Sequence, residues 1–121
     1  MSFSSQDVHK KVLGRAGEKR VVEFLKARGL KILKTNFVTP FGEADIIAED
    51  TARGEIAFIE VKTRSSDSFG TPAEAVGAKK RERYRKIASY YWMKTGKEPN
   101  ARFDVAEVLP GGGIDYIEYA F

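Results

Sequence analysis

The order of patterns along this chain predicts a mixed α/β domain, with helices flanking a central sheet. Three observations carry that reading. A helical repeat of apolar and charged residues ends at Gly29; three β-rich segments separated by turn residues follow it; a basic helix then precedes two more strands joined by Pro110-Gly111-Gly112-Gly113. At 121 residues, with no internal repeat, the chain suits one domain over residues 1–121 with its own core, residues 1–6 fraying.

Residues 6–28 carry helical spacing, and Gly29 is placed to stop it. Glu18 has Val21, Val22 and Leu25 three, four and seven positions on, so it shares the apolar stripe. Glu23, among Lys19, Arg20, Lys26 and Ala27, faces solvent. Gly14 and Gly17 each lower helix propensity by about 1 kcal/mol relative to alanine, which points to close approach of another backbone or a ligand. The bland role for Glu18 is a rim carboxylate paired with a lysine or arginine.

Residues 30–38 read as a first strand, closed by a turn at Thr39-Pro40-Phe41-Gly42. Residues 43–48 and 55–63 read as a hairpin. A tight turn centred between Ala52 and Arg53 pairs positions whose numbers sum to 105, so Asp45 faces Glu60. Opposed Cβ atoms lie about 4.5–5.5 Å apart, and carboxylates that close repel unless a cation intervenes. Period two sets Glu60 and Lys62 on one face, with the lysine between carboxylates that favour its protonated form and disfavour it as a base. A structural salt bridge from Lys62 to Glu60 or Asp45 is the bland alternative.

Residues 63–70 are polar and serine-rich, a loop at the same end of the sheet that could close over a substrate. Thr71-Pro72-Ala73-Glu74 has the form of a capping box with proline at the first helical position, which predicts a helix over 71–94 ended by Gly96. Val76, Tyr84, Ile87, Ala88 and Tyr91 mark its inner face. Its first half is a dense basic run, Lys79 to Lys86, with Tyr84 inside it; the ordinary role of such a run is a solvated face, and the functional one is contact with phosphates. Lys80, four before Tyr84 and seven before Ile87, lies on the inward stripe. Residues 102–109 and 114–119 read as the final strands.

Composition narrows the chemistry. The formal charge of +4 and a pI near 9.3 favour acidic partners, nucleic acid first. With no cysteine and a single histidine, His9, thiolate zinc sites, disulfides and histidine-centred hydrolysis lack their residues. The N-terminus has no apolar core of a signal peptide and no apolar run approaches the ~20 residues of a spanning helix, so the chain reads as cytoplasmic and free of membrane. Carboxylates with a lysine suit metal-assisted phosphodiester hydrolysis, because Mg²⁺ takes hard oxygen ligands and fills its shell with water and phosphate.

Asp45 followed by Glu60-Val61-Lys62 resembles the PD-(D/E)XK motif of restriction-endonuclease-like nucleases. The match is broader than that motif. Gly14-x-x-Gly17-Glu18, Asn36, Gly42-Glu43-Ala44-Asp45, Phe58-Ile59-Glu60-Val61-Lys62-x-Arg64, Lys80, Arg102-Phe103-Asp104 and Ala120-Phe121 resemble the YraN-like family of small uncharacterised bacterial proteins. Ala44 departs from the pattern, since the superfamily has proline there and the family more often isoleucine.

The resemblance implies a restriction-endonuclease-like αβββαββ core similar to archaeal Holliday junction resolvases. It implies Asp45 and Glu60 as metal ligands, the Val61 backbone carbonyl as a third, Lys62 as the catalytic lysine and Glu18 as the helix-one glutamate. Arg64, Lys79, Lys80, Arg83 and Arg102 are the expected nucleic-acid contacts. The expected function is a Mg²⁺-dependent endonuclease, Mn²⁺ substituting, acting on DNA ahead of RNA, on branched or single strands, with a homodimer suited to symmetric cutting. The alternatives are a non-catalytic nucleic-acid-binding or adaptor module that keeps the nuclease fold, and a protein-interaction role for the basic run.

Overall fold

The computed structural model describes residues 5–64, 77–98 and 100–121, with backbone alone for 5–14. The elements are α1 (Ser5–Ala27), β1 (Lys31–Thr39), β2 (Gly42–Asp50), β3 (Glu55–Thr63), α2 (Ala78–Thr95), β4 (Ala101–Val108) and β5 (Ile114–Ile117). This is the αβββαββ order. The strands form one sheet in the order β1-β2-β3-β4-β5, antiparallel except between β3 and β4. A parallel neighbour needs a crossover, and α2 lies within that connection.

Alternation along the strands builds two apolar layers, one on each face of the sheet. Val21 and Leu25 of α1 pack with Ile46, Ala48, Ala57, Ile59, Ala106 and Val108. Ala44, Ile47 and Phe58 pack with Tyr84, Ile87 and Ala88 of α2. Phe121 completes the second layer, stacked on Phe103 at 5.6 Å and edge-on to Tyr84 at 5.1 Å. Gly17 is where α1 presses on the sheet: a Cβ there would strike Thr63 Oγ1 and come within 3.5 Å of Val108 Cγ2. Of Gly14 only its place in α1 is described.

Both glycine stops hold. Gly29 takes φ 87° while Leu30 N–H reaches Leu25 O at 3.0 Å, and Gly96 takes φ 75° while its N–H reaches Trp92 O at 2.8 Å. The start of the second helix differs from expectation. Gly77 is extended, at φ −101° and ψ 174°, so no helix runs unbroken from 71 to 94 and α2 begins at Ala78. A glycine costs a helix interior about 1 kcal/mol relative to alanine, and here it serves as the boundary. The box at 71–74, Val76 and the loop at 65–70 lie outside the described residues.

The last strand ends at Ile117, two residues short of expectation. Tyr119 adopts φ 53° and gives its N–H to Asp104 Oδ1 at 3.0 Å in place of a ladder partner. Asp104 is fully buried, and it also accepts from Tyr116 OH at 2.5 Å and Arg102 Nε at 3.0 Å. Arg102 Nη1 reaches Asp50 at 2.8 Å and Glu55 at 3.1 Å. The expected nucleic-acid contact at Arg102 is therefore corrected. The residue is 3 % exposed and its guanidinium is committed to three carboxylates, on the sheet face opposite Glu60 and Lys62. Among the described residues no helix is long and apolar enough to cross a membrane.

Candidate active site

The β2–β3 hairpin has the expected register: Ile46 pairs with Ile59, Ile47 with Phe58 and Asp50 with Glu55. Its regular pairing stops at Ile46–Ile59, one step before Asp45 and Glu60. There the Val61 N–H donates to Asp45 Oδ2 at 2.8 Å, so a side chain takes the place of a backbone acceptor. Alternation breaks at the same point, since Ala44 and Ile47 lie in the α2-side layer while Ile46 lies in the α1-side layer. Asn36, next to this position on β1, has a left-handed φ of 52°. Such irregularities re-aim side chains, and here they turn Asp45 into the gap where β2 and β3 part.

Four carboxylates gather around that gap. Burial, outweighing the Val61 hydrogen bond, pushes Asp45 up to about 6 from 3.8, and Glu18, Glu60 and Glu43 add to the rise. Burial also raises Glu18, opposed by a hydrogen bond from the Asn36 side chain and reinforced by Glu43. Glu18 thus does point inward from α1, as its place on the apolar stripe predicts.

Glu60 and Lys62 share the α2-side face, but the lysine that pairs with Glu60 comes from elsewhere. Lys80 of α2 places Nζ 2.5 Å from Glu60 Oε2. That oxygen is buried, and the Lys80 ammonium is the counter-charge it meets among the described residues. Lys62 makes no ion pair among the described residues. Burial lowers its pKa, Lys80 and Arg64 lower it further, and the opposing pulls of Glu60 and Glu107 are smaller than the sum. The expected stabilisation of its charged form is corrected accordingly: Lys80 and Arg64 hold the nearest carboxylates. Arg64 Nε donates to Glu107 Oε1 at 2.7 Å, and Glu107 lies beside Lys62 in the β3–β4 register.

The donor set fits a hard divalent cation. Asp45 and Glu60 supply carboxylate oxygens at a desolvated, negatively crowded point, and Glu60 Oε2 already sits beside a cation, the Lys80 ammonium. Among the described residues no three acidic side chains converge tightly enough to hold an ion by themselves. Mg²⁺ does not need them to, because it keeps several waters and takes phosphate oxygens.

Of the other expected contacts, Lys79 and Arg83 are exposed on α2, and Arg83 lies against Gly42, where an added Cβ would be 2.9 Å from its Cδ. Three participants were not singled out by sequence reasoning as parts of the site. Glu43 is one. Glu107 is another, and its signal was the period-two alternation Phe103, Val105, Glu107 on the face that carries Lys62. Tyr84 is the third: burial raises its pKa, and the charges of Glu60 and Asp45 raise it further, so its hydroxyl stays protonated beside them.

Comparison with known proteins gives a consistent picture. The model of uncharacterised protein family UPF0102 matches residues 17–108. A UPF0102 protein of Thermodesulfovibrio yellowstonii is 46 % identical over 109 residues, covering 90 % of this chain and 95 % of its own. One from Alkaliphilus metalliredigens is 44 % identical, covering 92 % and 98 %. One from Mycolicibacterium smegmatis is 52 % identical, covering 85 % and 84 %.

Proposed function

The chain belongs to the uncharacterised protein family UPF0102, and we propose that it is a divalent-metal-dependent endonuclease hydrolysing phosphodiester bonds in nucleic acid, DNA ahead of RNA. The observation that carries this reading is the parted hairpin, where a desolvated Asp45 accepts the Val61 N–H and stands close enough to Glu60 to feel its charge, with Lys62 on the Glu60 face. A fold with no use for the gap would close the ladder and keep these charges in water.

Asp45 and Glu60 would hold Mg²⁺ or Mn²⁺, with the Val61 carbonyl as the third protein ligand. When bound, the ion supplies charge neutralisation at the scissile phosphate and a more acidic water. The chain's own groups do the rest. Val61 N–H fixes the Asp45 carboxylate, and Asn36 lies close enough to Glu18 to oppose the rise in its pKa. Lys62 offers an ammonium, or a proton, to a phosphate oxygen in a pocket where burial strengthens that interaction. Glu107, held by Arg64, limits where Lys62 can swing.

The test is an assay of duplex, single-stranded and junction DNA, with RNA counterparts, in Mg²⁺ or Mn²⁺. Cleavage is expected in the wild type, and Lys62→Ala is expected to lower it about 10²–10³-fold. Cleavage indifferent to both Lys62→Ala and Asp45→Asn would belong to a contaminant and sink the assignment.

The Lys80–Glu60 pair makes a second prediction. An ammonium beside a metal ligand competes with the metal, so Lys80→Met is expected to tighten Mn²⁺ binding roughly fivefold, equivalent to about 1 kcal/mol. Titration calorimetry or the Mn²⁺ spin-resonance signal would read this without turnover. The same pair favours one alternative, a nucleic-acid-binding module in which Lys80 permanently fills the cation's place. That module would bind metal only as the Lys80→Met variant and would cleave nothing as the wild type.

A further inference from the structure

Beside the carboxylates lies a groove that hydrolysis does not use. It runs between the β1–β2 turn and one side of α2, as two adjoining cavities of about 430 and 650 Å³ that share Phe41, Glu82 and Lys86. Its reach from Ala78 to Met93 is about 22 Å of helix. Phe41 is 45 % exposed at the tip of the turn and Met93 is 69 % exposed, while Tyr90 forms the wall between. Thr39 fixes the turn, its hydroxyl donating to Gly42 O at 2.7 Å and accepting the Phe41 N–H at 3.1 Å. The ring is thus held in solvent by a turn that is itself well tied.

Charge says what the groove is for. The first turn of α2 has no acidic residue, and the helix places Lys79, Arg83, Arg85 and Lys86 along the groove against one carboxylate, Glu82. Four cations against one carboxylate give this face a positive potential that favours an anion. The cations also stand over aromatic faces: Lys86 Nζ is 5.7 Å from the Phe41 centroid, and Lys94 Nζ is 5.3 Å from that of Tyr90. An exposed Phe41 and a half-buried Tyr90, each covered by a lysine that can swing to a phosphate, match unstacked bases joined by phosphates, whereas a duplex keeps its base faces to itself. The groove borders the strand that carries Asp45, since Arg83 lies on Gly42, three residues before it.

We propose that this groove binds the unpaired nucleotides of a single strand flanking the scissile phosphate, with bases against Phe41 and Tyr90 and phosphates along Lys79, Arg83 and Lys86. The proposal rests on the nuclease reading, and it gives that reading a substrate class: strands with an unpaired stretch next to the cut.

Fluorescence anisotropy in EDTA, with labelled single-stranded and fully paired DNA of equal length, tests it apart from turnover. The single strand is expected to bind at least about tenfold tighter than the duplex. Phe41→Ala is expected to weaken the single strand about tenfold and leave the duplex unchanged, while Phe41→Trp retains binding. Lys86→Ala is expected to weaken both and to flatten the salt dependence. Equal affinity for the two forms, or a single strand indifferent to Phe41→Ala in a variant with native circular dichroism, overturns the proposal. So does a dimer broken by Phe41→Ala with no strand binding, which assigns the groove to a second copy of the chain. Preserved strand binding without cleavage under any metal leaves the groove standing and removes the nuclease reading; cleavage without strand preference does the reverse.

Discussion

Replacing Asp45 by asparagine is expected to make the protein more stable and less active at once. The carboxyl titrates near 3.8 in an open chain and is pushed up to about 6 in the fold, chiefly by burial. The folded state therefore holds this proton more tightly than the unfolded state. The stability this gives is fully present below about pH 4 and is lost as pH rises through about 6. At pH 7 the ionised carboxylate costs up to about 3 kcal/mol, since each tenfold gain in proton affinity is worth about 1.4 kcal/mol. Asparagine keeps an oxygen for the Val61 N–H and carries no charge, so in EDTA at pH 7.5 it removes most of that cost. Urea unfolding at pH 4 and 7.5 reads the effect, which should nearly vanish at the lower pH. Added Mn²⁺ is expected to stabilise the wild type at pH 7.5 and not the variant, and cleavage is expected to fall about 10²–10³-fold. If Asp45→Asn instead destabilises the protein at pH 7.5, the carboxylate is a structural anchor and the metal-ligand role is lost.

Arg102→Met is expected to cost about 3–5 kcal/mol, because it strands a fully buried Asp104 and strips Asp50 and Glu55 of their shared partner. For a chain of this length that is a fall of about 10–20 °C in melting temperature. Tyr116 OH and Tyr119 N–H still reach Asp104, which keeps the loss from being larger. Arg102→Lys is expected to recover little, since a point ammonium cannot serve three carboxylates arranged around a planar fork. Arg83→Ala, on the exposed side of α2, should stay within about 0.5 kcal/mol. Thermal melts of the four proteins separate the two classes of arginine. A melting temperature unchanged by Arg102→Met would return Arg102 to the nucleic-acid interface.

That arginine marks where reading the chain stopped short. Arg102 looks like any surface cation in sequence, because its three partners come from β2, β3 and β4 and are brought together only by the sheet. The surroundings of Lys62 are hidden from sequence for a related reason: period two gives its face, but not that Lys80, from across the α2 crossover, pairs with Glu60. Local geometry was legible. The register from Asp50 to Ile46 follows from a tight turn, the inward lean of Glu18 and Lys80 from helical spacing, and the helix ends from Gly29 and Gly96. The start of α2 was misplaced because a capping box upstream outweighed a glycine whose extended conformation sets the boundary. The parting of the ladder at Asp45 had no sequence signal beyond the charges themselves, since alternation predicts a strand that simply continues.

The pair between Lys80 and Glu60 ties two binding events to each other. On the proposed reading, a divalent ion arriving at Glu60 would displace the Lys80 ammonium toward phosphates bound along its own helix. A polyanion arriving first draws the same ammonium off and leaves the carboxylate short of positive charge. Each ligand would then prepare the place of the other, and by thermodynamic reciprocity the factor by which nucleic acid tightens the metal would equal the factor by which metal tightens nucleic acid. Lys80→Met would bind both partners while losing that conversation between them.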